Sequence, residues 1–176
     1  MLLTTKEVIM LKQEMFLQFL DASIRQRFDW AIAGGSCRNF SVGLPAKDYD
    51  VICILPPEDR NHQGALEFAK QVSRMVSIHG GRSSVIQAYG HGDFGERHLA
   101  VIKIEYAGDN YDLLVESSGS ITEAISHFDC NMNQCYWNGF AKQVVFVGEP
   151  LDKLVWCKPV SAERKERMES FFKVYF

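Results

Sequence analysis

The stretch YDVICIL, Tyr49 to Leu55, constrains the fold more than any other part of the chain. From Val51 onward it is apolar without interruption, and Pro56-Pro57 stops it. A half-exposed strand alternates apolar and polar side chains. An unbroken run of this length belongs instead to a strand covered on both faces. Such a strand needs material above and below it, so the chain must fold in layers around a sheet. The 47% of hydrophobic residues can furnish those layers, and 176 residues are enough for one domain, residues 1–176, with a substantial core.

The rest of the pattern fills in the layers. Thr4 or Thr5 can cap a first helix, with Val8, Leu11, Met15 and Phe19 at helical spacing through about Leu20. FDWAIAG reads as a short strand ending at glycine, and Ser36 as the cap of a short helix that Gly43 and Pro45 end. A helix from about Asn61 to His79 follows, stopped by Gly80-Gly81. SSVIQAY, HLAVIKIEY and YDLLVE read as strands, ITEAISHF as a helix capped by Ser120, and QVVFVG as a further strand. A last helix starts at Ser161. The order predicts an α+β fold, a mixed sheet with helices packed mainly on one side. Tyr136, Trp137 and the C-terminal aromatics read as core.

Several classes are disfavoured. The net charge of −3 provides no global basic field for nucleic acid, and the run AERKER, 162–167, mixes signs as a solvated helix face does. Five cysteines, odd in number and without metal-ligand spacing, read as free thiols, with Cys53 a small buried hydrophobe. There is no signal-peptide pattern and no apolar stretch of membrane-spanning length, so a soluble cytoplasmic protein is expected. GHGDFG, Gly90 to Gly95, has the spacing of a dinucleotide loop, but a strand-like segment follows it where a helix is required. It reads as a hairpin loop. His91, Asp93 and His98 have the chemistry of metal ligands, yet such residues around one loop are commonly just solvated.

The mouth of the central strand carries more information. Strand period places Asp48 and Asp50 on one face. Adjacent carboxylates repel unless a cation stands between them, and hard oxygen donors suit Mg²⁺ or Mn²⁺, which take further ligands from substrate phosphates. Alone, the pair reads as a strand start with two solvated aspartates. Upstream, Ala33-Gly34-Gly35 ends a strand and Ser36 opens a helix, a turn where backbone can approach an anion closely. Ser36 adds a hydroxyl and Arg38 a fixed positive charge. Twelve residues separate Gly35 from Asp48.

These residues resemble the signature of the DNA polymerase β-like nucleotidyltransferase superfamily: a hydrophobic residue, paired glycines, a short spacer, then Asp-x-Asp. More narrowly, GGSCRNFSVGLPAKDYDV is similar to the head domain of the tRNA nucleotidyltransferase and poly(A) polymerase family. Gly34, Gly35, Arg38, Gly43, Lys47, Asp48 and Asp50 match in order. HFDCNMNQCYWNG keeps Asp129 and Asn133 in register with a second family block, so the likeness spans roughly residues 28–148. Departures are Asn39 for an aspartate, His127-Phe128 for an arginine pair, and Ala124 for an aspartate. No Glu-Asp-x-x-Arg base template is visible, and the family's neck, body and tail are not represented, which speaks against CCA addition to tRNA.

The resemblance implies two-metal transfer of a nucleotide from an NTP to an acceptor hydroxyl, releasing pyrophosphate. Asp48 and Asp50 would hold the Mg²⁺ or Mn²⁺ ions. A third carboxylate is expected from a neighbouring strand; Asp112 is the best candidate, with Glu105 and Asp109 behind it. Gly34, Gly35 and Ser36 would hold the β and γ phosphates, Arg38 and Lys47 would neutralise charge, and Asp129 and Asn133 would orient ribose or base. The acceptor is open among RNA, protein and small molecule, and a chain of this size suits a phage as well as a cell. The alternatives are a non-catalytic nucleotide-binding module on the same fold and a plain adaptor.

Overall fold

The computed structural model describes residues 5–87 and 97–176. The elements run α1 (Thr5–Ser23), β1 (Asp29–Ala33), α2 (Gly35–Ser41), β2 (Asp48–Ile54), α3 (His62–Ile78), β3 (Arg82–Gln87), β4 (His98–Tyr106), β5 (Asp109–Glu116), α4 (Ile121–Ser126), β6 (Cys135–Asn138), β7 (Gln143–Phe146) and α5 (Ala162–Tyr175). The strands form one seven-stranded sheet in the order β3-β4-β5-β2-β1-β6-β7. Among the described residues, only β2 and β5 pair in parallel; their neighbours pair antiparallel. This is the expected α+β architecture.

β2 lies in the middle of the sheet, and both its faces are covered over most of its length. Tyr49, Val51 and Cys53 join the main core with Leu17 and Leu20 of α1, Cys37 of α2 and Phe68 and Val72 of α3. Ile52 and Ile54 point to the other face, where Ala124 and Ile125 of α4 cover them. α4 is only six residues long, and on this second face the row Ile54, Ile52 continues as Asp50, then Asp48. The apolar run thus ends where the cover ends, and the two aspartates emerge beyond it.

Two local readings need correction. Ser36 does not cap α2: the helix begins at Gly35, with Gly34 as its cap, and the Ser36 hydroxyl lies 3.3 Å from the Ala33 carbonyl. The positive φ of Gly34, 71°, favours glycine at the bend itself, so the turn comes two residues before the serine. A strand was also missed. Residues 135–138, with Trp137 in the core, form β6, which pairs with β1 at Ala33 and with β7. Cys-Tyr-Trp-Asn does not alternate apolar and polar side chains, so its pattern does not declare a strand. Elsewhere the capping reads as expected: the Ser120 hydroxyl accepts from Glu123 N at 3.2 Å, and that of Ser161 accepts from Arg164 N at 3.1 Å.

All five cysteines are free thiols, four of them buried and Cys157 exposed. No helix among the described residues is long and apolar enough to cross a membrane.

Candidate active site

The site is built across the sheet. Parallel pairing sets Asp50 of β2 opposite Asp112 of β5, and Asp48 opposite Asn110. In-register neighbours point the same way, so Asp48, Asp50 and Asp112 share one face. The row through Asp50 continues to Lys103 on β4 and Ser84 on β3. Lys103 Nζ stands 3.3 Å from both carboxylate oxygens of Asp112. Glu105 falls one row over, opposite Asn110, and Asp109 turns to Lys12, whose Nζ is 2.9 Å from its Oδ2.

Asp48 is exposed, whereas Asp50 and Asp112 are half-buried. Burial, then the negative charges of Asp112 and Asp48, push the Asp50 carboxyl up to about 6, against the opposing pull of Lys103 and His98. Beside it, β1 ends in the Gly34 turn, whose N–H donates to the Cys135 carbonyl at 2.9 Å. A Cβ at Gly34 would come 3.3 Å from the Phe128 ring and 3.5 Å from Asp50 Oδ2, so the fit is close, and it is the positive φ that favours glycine there.

Between this turn and the C-terminal helix lies a cleft of about 660 Å³. Gly34, Gly35, Asp50, Asp129 and Asn133 line one side, and Arg97, Lys158, Arg164 and Arg167 bring four cations to it, with Glu163 among them. Arg97 donates to the His127 carbonyl at 3.1 Å. His98 also faces the cleft, with its Nδ1 2.8 Å from a buried Glu116 oxygen.

Behind the cleft runs a chain of polar contacts. Arg38 Nη1 donates to Asn133 Oδ1 at 2.7 Å, Asn133 Nδ2 donates to Asp129 Oδ1 at 2.8 Å, and Arg164 Nε donates to Asp129 Oδ2 at 2.8 Å. Burial alone would raise the Asp129 carboxyl; the hydrogen bonds from Arg164 and Asn133 outweigh it and hold the carboxyl below its ordinary value. The Arg38 guanidinium also bonds Asn39 Oδ1 and stacks 4.3 Å from the centre of the Phe171 ring. It is buried and engaged inside the protein, whereas Asp129 and Asn133 reach the cleft. Lys47 is exposed, immediately ahead of β2.

Among the described residues, no group of three or more His, Cys, Asp or Glu side chains is gathered tightly enough to hold a metal ion. The donor chemistry nonetheless fits a hard divalent cation. Asp48, Asp50 and Asp112 offer carboxylate oxygens from one face, and a cation there would offset both causes that raise the Asp50 carboxyl, its burial first and then the charges of Asp112 and Asp48. His91 and Asp93 lie outside the described residues, as does the whole GHGDFG loop; His98 pairs with Glu116.

Reading the sequence missed the cations. The run 162–167 looked like a solvated face, and Lys165 and Glu166 are exposed as that reading requires. Arg164, half-buried, and Arg167, exposed as well, also line the cleft. Helical period sets Arg164 and Arg167 on one stripe with Met168 and Phe171 and turns Lys165 and Glu166 away; what the period does not disclose is that this stripe docks against the cleft.

No protein-family model matches this chain, and no curated protein matches it. Solved structures do. A CCA-adding enzyme in complex with ATP is similar at a TM-score of 0.50 and 16% identity, covering 81% of this chain and 32% of that one. An apo form of a CCA-adding enzyme gives 0.50 and 15%, covering 81% and 32%. A tRNA-processing enzyme in an apo form gives 0.50 and 13%, covering 83% and 34%. The chain spans about a third of the length of these structures. At such identities the likeness speaks for the fold: the mixed sheet that carries the aspartate row is the nucleotidyltransferase-like fold that those enzymes share.

Proposed function

We propose that this chain transfers a nucleoside monophosphate from an NTP to an acceptor hydroxyl and releases pyrophosphate, with Mg²⁺ or Mn²⁺ held by Asp48, Asp50 and Asp112. The observation that carries the reading is the register of three carboxylates on one face at the edge of a cleft that four cations line. A triphosphate needs a compensating positive field and a backbone that can approach it; Arg97, Lys158, Arg164 and Arg167 supply the field, and the Gly34-Gly35 turn the approach. The likeness to a CCA-adding enzyme in complex with ATP supports the choice of nucleotide.

In this reaction the acceptor oxygen bonds to the α-phosphorus, the bond from that phosphorus to the bridging oxygen breaks, and pyrophosphate leaves. A bound divalent ion supplies Lewis-acid polarisation and lowers the pKa of the hydroxyl. Asp112 takes the hydroxyl proton on a carboxylate oxygen. Arg164 and Arg167 neutralise charge growing on the leaving pyrophosphate. Asp129 and Asn133 orient the ribose or base from the cleft floor. Arg38 acts at one remove, by holding Asn133, and Lys47 adds positive charge beside Asp48.

One observation favours a second reading, a nucleotide-binding module without turnover: the Lys103 ammonium already neutralises Asp112. Titration calorimetry with each NTP, with and without Mg²⁺, decides between these readings and neither. Metal-dependent binding lost in Asp48→Ala/Asp50→Ala, together with release of pyrophosphate in the presence of acceptor, is the expected result. Binding without pyrophosphate release under any acceptor supports the module. Absence of binding at millimolar nucleotide removes both.

A further inference from the structure

The carboxylate row has two sides. Asp50 faces the cationic cleft, while Asp48 and Asp112 line a separate groove of about 460 Å³. Its other side chains come from the exposed rows of β3, β4 and β5: Arg82 and Ser84, Lys103 and Glu105, and Asn110. Ser83, Ile104 and Tyr111 also border it, but Ser83 shares the row of Ile104, and the side chains of Ile104 and Tyr111 are buried in the main core on the opposite face. In-line displacement at phosphorus requires the incoming hydroxyl and the leaving pyrophosphate on opposite sides. With the triphosphate in the cationic cleft, the side left for the hydroxyl is this groove.

We infer that the groove bounded by Arg82, Ser84, Lys103, Glu105 and Asn110 is the acceptor site, and that its acceptor is a small neutral polyol or sugar. The inference rests on the nucleotidyl-transfer reading above. Size and chemistry both point this way. The volume suits a ligand of one or two sugar rings. Register sets Arg82, Glu105, Asn110 and Asp48 side by side, a guanidinium, a carboxylate and an amide able to pair with neighbouring hydroxyls. Arg82 and Glu105 balance in charge, so neither a strongly anionic nor a strongly cationic acceptor is selected.

The two macromolecular acceptors fit less well. Single-stranded nucleic acid is held by a basic track and by aromatic faces on which bases stack. Among the described residues, the groove presents three carboxylates against two cations and no exposed aromatic ring. A peptide could pair along the outer edge of β3, which is the end strand of the sheet among the described residues and whose residues 82–86 are exposed. Strands lie about 4.8 Å apart, so that peptide would run about 14 Å from β5, beyond the reach of a serine, threonine or tyrosine hydroxyl to Asp112.

The test uses the whole chain with Mg²⁺ and a non-hydrolysable NTP analogue. Saturation-transfer NMR reads binding of two probes, myo-inositol and methyl glucoside, and calorimetry reads the analogue. Ser84→Trp fills the groove, and Asn110→Leu removes a polar partner without filling it. Both positions are exposed, and thermal melts check folding. The expected result is probe signal in the wild type that falls at least about fivefold in both variants, with analogue affinity unchanged within about twofold. Analogue binding with no probe signal overturns the inference and spares the nucleotidyl-transfer reading. So does a labelled RNA oligonucleotide that, with the authentic NTP in place of the analogue, accepts the nucleotide and is blocked by Ser84→Trp. If the analogue itself does not bind, the functional reading fails and the acceptor site falls with it.

Discussion

Asp50 is held between the end of β1 and Asp112, and its carboxyl ionises near 6 because burial and two neighbouring carboxylates disfavour the charge. The unfolded chain has no such burden and ionises near the ordinary 3.8. The folded protein therefore binds a proton in a range where the unfolded chain has released it. The contribution to stability is complete below about pH 4, declines as pH rises to about 6, and stays low above that. In metal-free protein, Asp50→Asn should raise stability at pH 8 by about 1–2 kcal/mol and leave it nearly unchanged at pH 4. Melts in a chelating buffer across that range check it. An equal change at both pH values would mean that charge repulsion is not what the substitution relieves. The adjacent Lys103–Asp112 pair is half-exposed, so breaking it alone should move stability by no more than about 1 kcal/mol.

α5 shows how an element can be weakly apolar and still be docked. Met168 is its one buried residue, resting on Cys130 and Met132. Polar and aromatic contacts supply the rest: Arg164 to Asp129, and Phe171 against the Arg38 guanidinium. Arg164→Met should therefore cost about 1–2 kcal/mol and release the Asp129 carboxyl from its lowered pKa. Hydrogen exchange should quicken in α5 while β2 and β5 keep their protection. Unchanged exchange in α5 would show that Met168 and the aromatics dock the helix unaided. Arg167 lines the cleft without joining these docking contacts. Arg167→Ala should instead leave exchange alone and weaken Mg²⁺-NTP binding by about tenfold, read by calorimetry. These contacts also mark the limit of what the sequence discloses. The helix and its serine cap are legible in SAERKERM, because capping and spacing are local. Its burial is not, because Asp129 and Arg38 are distant in sequence and only the folded sheet brings them beneath it. β2 lies at the other extreme: its apolar run and its period of two are enough to put two aspartates on one face. The neighbour of Asp50 sits between these cases, since choosing Asp112 over Glu105 or Asp109 requires a strand register that no pattern within β5 declares.

At the scale of the whole molecule, the sheet divides stability from chemistry. One face is sealed by α1 and α3 into the main core; the other is covered by α4 for part of its width and opens where Asp48, Asp50 and Asp112 stand. Alternation along β5 therefore assigns consecutive residues to different tasks. Leu113 is fully buried in the main core, while Asp112 beside it faces the groove. Leu113→Ala removes buried side-chain volume from a packed interior and should cost about 3 kcal/mol, because such cavities collapse only in part. The backbone of β5 is paired on both sides, with β4 and β2, so the register that sets Asp112 beside Asp50 should survive that loss. Mg²⁺-NTP affinity should then stay within about threefold at temperatures well below the melt. Asp112→Asn should behave in the opposite way. It removes a charge from a crowded acidic row, so stability holds or rises slightly, while metal-dependent nucleotide binding weakens by at least about tenfold. Paired melting and calorimetry on the two variants test the division directly. If Leu113→Ala abolished nucleotide binding in protein that is still folded, the acidic face would depend on core packing for its geometry, and the sheet could not be regarded as a rigid partition between the two.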